Sequence, residues 1–313
     1  MEIKLVTSPE LRAGLRDLPQ VIAEARIAWN EPMSSYTSFQ IGGPVDALVR
    51  PVDENELRRV LMYCRERELP VFIMGKGTNI LVRDKGIRGV VIKVDHPMDR
   101  LEFLEGGQVK AGAGLTLKEL SQAVAARGLK GLEFAIGIPG SLGGAVVMNA
   151  GAYNGEMKEV ITQVRVLDYQ GQIRNMSAAE LGFGYRYSIL QAMELVLLEA
   201  TLQLSPGDPK EIYARMEDYT VRREARQPLN LPSAGSVFRR PAGHYVGPMI
   251  EELGLKGFRV NDAQVSEMHA GFIVNRGQAT AADILALIRL IQERVRERFG
   301  VELIPEIKII GEA

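Results

Sequence analysis

Two glycine-rich runs hold the residues best suited to chemistry. The first is Val71-Phe-Ile-Met-Gly75-Lys76-Gly77-Thr78-Asn79-Ile80-Leu81, an apolar strand entering a turn that carries a hydroxyl and a carboxamide. Glycine lets backbone N–H groups come close to a phosphate, and Thr78 and Asn79 can add side-chain hydrogen bonds. The run is not a Walker loop, because Pro70 stands where its first glycine belongs. It is not a full dinucleotide fingerprint either, because Ile80 replaces the third glycine. A tight strand-to-helix turn would use the same glycines. The second run is Gly137-Ile138-Pro139-Gly140-Ser141-Leu-Gly143-Gly144-Ala145, followed by Asn149-Ala-Gly151-Ala. Dense glycine without charge suits a backbone cradle for a large planar cofactor with a diphosphate; a glycine-rich core crossing is the alternative. Two such loops in one chain favour a dinucleotide held between two subdomains.

Legible elements must position these loops. Asp53 with Glu56, Thr116 with Glu119, and Thr280 with Asp283 each read as a helix start with a capping pair. Apolar stripes follow at helical spacing: Leu57, Val60, Leu61 and Cys64 in the first, and Ile284, Leu287, Ile288, Ile291 and Val295 in the last. Asp208, Pro209 and Glu211 open another helix, with Ile212, Met216 and Tyr219 as its stripe. Strand-like runs are Val71–Met74, Gly89–Lys93, Val160–Tyr169, Leu195–Leu204, Gly271–Asn275 and Val301–Ile310. Their order mixes with the helices rather than alternating strictly, which predicts an α+β fold. The softest boundaries fall near residue 95 and at Ser205-Pro206-Gly207.

Composition narrows the function classes. The 313 residues predict about two domains, with one or three also open. Lys+Arg (38) and Asp+Glu (39) nearly cancel, so no bulk charge points to nucleic acid or a membrane surface. A single cysteine, Cys64, excludes an internal disulfide, and three scattered histidines argue against a histidine-rich metal site. Glu2, Lys4, Glu10, Arg12 and Arg16 interrupt the N-terminus, so a secretory signal is not expected and the protein is read as cytoplasmic. The uncharged stretch Phe134–Gly155 is long enough to span a bilayer. Its six glycines, Pro139, Asn149 and Asn154 make it a buried glycine-rich loop instead.

Further motifs extend the pattern. Tyr36-Thr37-Ser38-Phe39-x-Ile-Gly-Gly43, Gly75–Leu81 and Gly137–Ala152 resemble the FAD-binding part of the UDP-N-acetylenolpyruvoylglucosamine reductase (MurB) family. Gly184-Tyr-Arg186-Tyr-Ser188, Gly235-Ser236-Val-Phe238-Arg-Arg-Pro241 and Pro305-Glu306-Ile-Lys-Ile-Ile-Gly311 are also similar to that family's motifs, in the same order. The resemblance covers about residues 30–311. It implies a flavin module of two α+β subdomains, like that of vanillyl-alcohol oxidase, and a third α+β substrate domain. The expected parts are 1–95 joined by the terminal strand 301–313, then 96–206, then 207–300. The compact passage Val160–Leu204 resembles the form without a tyrosine-loop insertion.

The resemblance implies NADPH-dependent reduction of UDP-N-acetylglucosamine enolpyruvate to UDP-N-acetylmuramate, a step of bacterial cell-wall peptidoglycan synthesis. Hydride would pass from NADPH to FAD and on to the enolpyruvyl β-carbon. Arg186 would hold the substrate carboxylate, Ser236 would give a proton to the α-carbon, and Glu306 would help polarise the carboxyl. FAD would lie on Thr37, Ser38, Gly75, Lys76, Gly77, Thr78, Asn79, Ile80 and Leu81, and on Gly137, Ile138, Pro139, Gly140, Ser141, Gly143, Gly144, Asn149 and Gly151. Arg222, Arg226, Arg240 and Lys256 would face the UDP diphosphate. No His or Cys occurs in the two loops, so the flavin is expected to be held non-covalently. Lys76, and Asn261-Asp262, depart from the family's usual residues. The competing readings are an FAD oxidase or dehydrogenase of the same fold, and a non-catalytic flavin- or nucleotide-binding module.

Overall fold

The computed structural model describes residues 8–313; Glu2 and Lys4 of the N-terminal reading lie outside the described residues. The chain divides into two compact units. The first takes the chain to Asn30, Asp46–Lys76 and Gly89–Val221; the second takes Glu31–Val45, Gly77–Arg88 and Arg222–Ala313. The helices are α1 (Ser8–Leu15), α2 (Glu54–Glu66), α3 (Leu117–Ala125), α4 (Leu142–Met148), α5 (Pro209–Arg226), α6 (Val246–Glu252) and α7 (Ala281–Phe299). With sheets of both senses between them, the architecture is α+β, as the mixed order of elements predicts.

One sheet, most of whose residues belong to the first unit, has the order Ile27–Pro32, Pro44–Val49, Ile87–Lys93, Val71–Met74. Its last two strands run parallel, Val71 opposite Val90 and Met74 opposite Lys93. Parallel neighbours cannot be joined by a tight hairpin. The link between them therefore has room for the first glycine run. A second, antiparallel sheet has the order Ile173–Ser177, Ile161–Asp168, Leu195–Gln203, Gln108–Gly112, Leu101–Phe103. The predicted α2 stripe is fully buried: Leu57, Val60, Leu61 and Cys64 pack in one cluster with Val90, Ile92, Leu117 and Leu120. Each such aliphatic side chain contributes about 1.5–3 kcal/mol.

In the second unit, α7 lays Ile284, Leu287, Ile288, Ile291 and Val295 into a cluster with Phe39, Leu81, Ile273 and Leu303. Its start is well specified. Thr280 and Asp283 form a reciprocal capping box, and Gly300 ends the helix in the left-handed region. Asp84, which the sequence did not single out, accepts hydrogen bonds from the N–H groups of Ala281 (2.7 Å) and Ala282 (2.9 Å). A carboxylate there also complements the helix dipole.

Four local expectations change. The α2 cap is half a box: Asp53 accepts from Glu56 N–H, but the Glu56 carboxylate turns to Val52 N–H and Arg26. The Gly75 run joins two strands, Val71–Met74 and Ile80–Val82, rather than a strand and a helix. The Gly137–Ala152 run is not all loop, because α4 forms inside it. Ser141 caps α4, and burial of Leu142, Ala145 and Val146 outweighs the low helix propensity of Gly143 and Gly144. Finally, the predicted strand Val301–Ile310 shrinks to Lys308–Ile310, which pairs in parallel with Ile80–Val82. Pro305 has no N–H to give a ladder, so the segment before it is left with one isolated bridge, Pro305 to Phe238.

Candidate active site

The first unit brings four of the expected residues into two contacts. A Cβ at Gly75 would run into Ser141 Oγ, so any side chain there would have to displace that hydroxyl. Ser141 is buried at the N-cap of α4. Its segment is pinned by Leu117 N–H to Gly140 O (3.0 Å) and Gly143 N–H to Ala113 O (2.9 Å). At the other end of α4, Arg186 Nη2 donates to Gly151 O (3.0 Å), and its guanidinium lies 5.0 Å from the centre of the Tyr185 ring.

Arg186 sits in a two-residue turn. Gly184 and Tyr187 exchange backbone hydrogen bonds of 3.0 and 3.2 Å, and Arg186 has φ +53°. An arginine in the left-handed region costs about 1–2 kcal/mol. Such strain persists where the surroundings over-determine the conformation. Asn149 is part of that surrounding. It is fully buried, it C-caps α4 at φ +43°, and its Nδ2 donates to Gly184 O (2.9 Å) and Glu156 Oε2 (2.7 Å). Its Oδ1 accepts from Lys158 N–H (2.9 Å). The side chain of this expected flavin contact is thus engaged with the protein itself.

The second unit gathers another group. Ser38 N–H donates to Gly77 O (3.0 Å), and the Ser38 hydroxyl is buried with no hydrogen-bond partner. A buried unpartnered hydroxyl costs about 1–3 kcal/mol, so this one is suited to an incoming acceptor. Gly77 is buried at φ +68°, a conformation that favours glycine. The unpartnered Ser38 hydroxyl beside the Gly77 backbone fits a phosphate-bearing group such as FAD. Thr37 is occupied locally, its hydroxyl donating to Ile41 O (2.8 Å) and accepting from Ile41 N–H (3.2 Å). Asn275 Nδ2 secures the same loop at Phe39 O (3.1 Å).

Ser236 and Glu306 are brought together through backbone. Ser236 bridges Phe272, Val237 N–H donates to Gly271 O (2.9 Å), and Glu306 N–H donates to Val237 O (2.7 Å). Asn79 ties the first glycine run to the same place: its O accepts from Lys308 N–H (2.9 Å), and its Nδ2 reaches Glu306 O at 3.5 Å. His269 supports the segment Gly271–Phe272 with which Ser236 and Val237 pair. Its Nδ1 accepts from Gly271 N–H (3.1 Å), and its ring meets Phe272 edge-on at 4.9 Å. Burial holds this imidazole below the usual histidine range. His269 was missed because a lone histidine in a turn has no distinguishing spacing.

Arg240 lies 3.9 Å over the Tyr245 ring, and Lys256 pairs with Glu251 at 2.9 Å. Arg222 and Arg226 are exposed along α5. Burial pushes the Cys64 thiol up to about 12, so it is inert as a nucleophile at neutral pH. No helix among the described residues is long and apolar enough to cross a membrane.

Residues 227–310 match the C-terminal domain model of UDP-N-acetylenolpyruvoylglucosamine reductase, and residues 44–177 match an FAD-binding domain model. The chain is 52% identical over 287 residues to the UDP-N-acetylenolpyruvoylglucosamine reductase of Syntrophomonas wolfei, covering 92% of this chain and 96% of that one. It is 50% identical over 295 residues to the enzyme of that name from Caldanaerobacter subterraneus, covering 94% and 97%. Among solved structures it is similar to the Thermus caldophilus reductase, with TM-score 0.77, 36% identity, and coverage of 90% and 98%.

Proposed function

The chain belongs to the UDP-N-acetylenolpyruvoylglucosamine reductase family and carries its FAD-binding domain, and from that premise we propose that it reduces UDP-N-acetylglucosamine enolpyruvate to UDP-N-acetylmuramate at the expense of NADPH. When bound, FAD supplies the redox chemistry, accepting hydride from NADPH and delivering it to the enolpyruvyl β-carbon. The residues of this chain must then bind the substrate, stabilise charge and deliver one proton.

Arg186 suits the charge. Hydride addition at the β-carbon leaves an enolate whose charge extends into the carboxylate, and a guanidinium holds that group with two hydrogen bonds without ever losing its own charge. Its placement before reaction is what makes it effective. Ser236 suits the proton: its hydroxyl would add H⁺ to the α-carbon, completing C–H bonds at both carbons of the former double bond, and solvent would restore it. Glu306 would hydrogen-bond the carboxyl and help polarise it. Ser38, with the glycine at 77, would receive the flavin diphosphate. Arg222, Arg226, Arg240 and Lys256 would attract the UDP diphosphate. The return of Lys308–Ile310 to Ile80–Val82 supports grouping residues 301–313 with the N-terminal part. A nucleotide-linked substrate and NADPH are in keeping with the cytoplasm.

The observation that carries this reading is the pairing of the Ser236–Val237 strand with Glu306 N–H, beside the Asn79 carboxamide of the first glycine run. The test is an anaerobic visible spectrum. NADPH should bleach the flavin, and the enolpyruvyl nucleotide should restore its colour. Bleaching without recovery would reject this substrate and leave an FAD oxidase or dehydrogenase.

A further inference from the structure

The last carbonyls of a helix lack partners inside it. In α4 one of them, Val147 O, is taken up from outside by two side chains: Ser188 Oγ (2.8 Å) and Gln191 Nε2 (3.0 Å). Gln191 Nε2 uses its second hydrogen on Arg186 O, also at 3.0 Å. One carboxamide thus spans two backbones, the C-terminal end of α4 and the strained residue at φ +53°. Ser188 is fully buried and Gln191 partly so, which keeps water from competing for these carbonyls. At the opposite end of α4, Ser141 closes against Gly75 of the first glycine run. At 1.5 Å per residue the helix is a strut of about 10 Å. One end touches the glycine turn, and the other is bonded to the Arg186 turn.

We propose that Gln191 is a positioning residue for the reaction: it locks Arg186 in its left-handed conformation and ties that turn to α4, so that the guanidinium is held at a fixed place relative to the Gly75 turn. This rests on the carboxylate-binding reading of Arg186. Gln191 itself touches no substrate in this scheme; it acts through Arg186. Sequence alone hid it, because a glutamine in a short 3₁₀ turn (Ile189–Gln191) resembles surface filler.

The test is a double-mutant cycle with Gln191→Met, which keeps length and loses both donors, and Arg186→Ala. In the flavin-loaded enzyme, Gln191→Met should lower kcat/KM for the enolpyruvyl nucleotide about 10- to 100-fold, an effect of the size that misplaced binding groups produce. It should weaken calorimetric binding of that nucleotide in parallel. Flavin content and the rate of bleaching by NADPH should stay within twofold of the parent. Combined with Arg186→Ala, Gln191→Met should cost nothing further. Independent, multiplying losses would overturn the proposal, because a purely structural glutamine would weaken the protein whether or not Arg186 is present. If Arg186→Ala alone left kcat/KM and binding intact, the reading of Arg186 would fall, and this proposal with it. If Arg186→Ala is inactive while Gln191→Met is unimpaired, only the proposal falls. Should Gln191→Met not yield soluble protein, Gln191→Glu decides. Protonated it can still donate one bond; ionised it repels both carbonyls. Its kcat/KM should therefore fall as pH rises, relative to the parent, and a profile parallel to the parent's would overturn the proposal.

Discussion

The turn that carries Arg186 and the strand that carries Ser236 are both shaped by backbone hydrogen bonds, but the first is also tied by three side chains, one of them the fully buried Asn149. Around Arg186, Asn149 holds Gly184 O, Gln191 holds Arg186 O, and the guanidinium holds Gly151 O. Ser236 is exposed, and its strand is fixed by main-chain bonds to Gly271, Phe272 and Glu306. The left-handed conformation is also distributed differently. Near Ser236 it falls on Gly235 (φ +78°), where it costs little; in the other turn it falls on the arginine itself. The contrast matches the proposed duties. A permanent cation works by being placed in advance and can be buried against its tethers. A hydroxyl that gives up a proton must recover it from solvent, and exposure allows that.

Two substitutions would break this contrast most visibly. Ser236→Ala should slow flavin recolouring by the enolpyruvyl nucleotide by up to about 10⁴-fold, the upper range for a general acid. Bleaching by NADPH should continue at the parent rate. Stopped-flow absorbance resolves the two phases, and equal slowing of both would remove Ser236 from proton delivery. Arg186→Lys keeps the charge but loses the fork, and should cost about 10²- to 10³-fold in kcat/KM, as for other preorganised donors. A loss under threefold would mean that charge alone suffices and that the tethering of this turn serves the fold only.

Much of this was legible in the sequence. Helix starts at Thr116 and Thr280 could be read because the capping box is a local, four-residue device. The α2 and α7 stripes could be read because one period decides which face is buried. The glycine at 75 was read for approach to a phosphate; that Ser141 lies against it could not be read from sequence. What stayed hidden depends on long-range partners. Asp84 meets α7 across about 200 positions of chain, and Asn275 secures Phe39 from as far. The α4 helix was hidden because its glycines argue against a helix until Ala113 is known to lie against Gly143. The supporting bonds of Asn149 were hidden in the same way: its three hydrogen-bond partners lie 7, 9 and 35 positions away.

The same contrast can be sharpened through stability. Asn149→Ala would strand Lys158 N–H, take from Gly184 O one of its two hydrogen bonds (Tyr187 N–H keeps the other), and leave alanine at φ +43°. Each of those losses is of order 1 kcal/mol or more, so denaturant unfolding should show about 2–4 kcal/mol of destabilisation. Gly235→Ala meets no atom within 4 Å and suffers only the φ of +78°, which predicts about 1–2 kcal/mol. If Gly235→Ala were the more damaging, the Ser236 strand would be the more tightly specified of the two.

The smallest effect expected is one of pH, and it probes the support behind Ser236. Desolvation holds His269 below its usual value of 6.5, opposed by the charge of Glu251 and aided by that of Lys256. A base whose folded pKa is depressed is neutral in the native state while the unfolded chain already binds a proton. Stability therefore declines as pH falls below 6.5 and levels off beneath the folded value; above 6.5 both states are neutral and the contribution is constant. His269→Gln keeps an acceptor for Gly271 N–H but does not titrate. The thermal midpoint of the parent should fall faster than that of His269→Gln as pH is lowered from 6.5, with a constant difference between them above it. Parallel curves over the whole range would show that the imidazole is not held neutral, and the ring behind the Ser236 strand would then be as open to water as Ser236 itself.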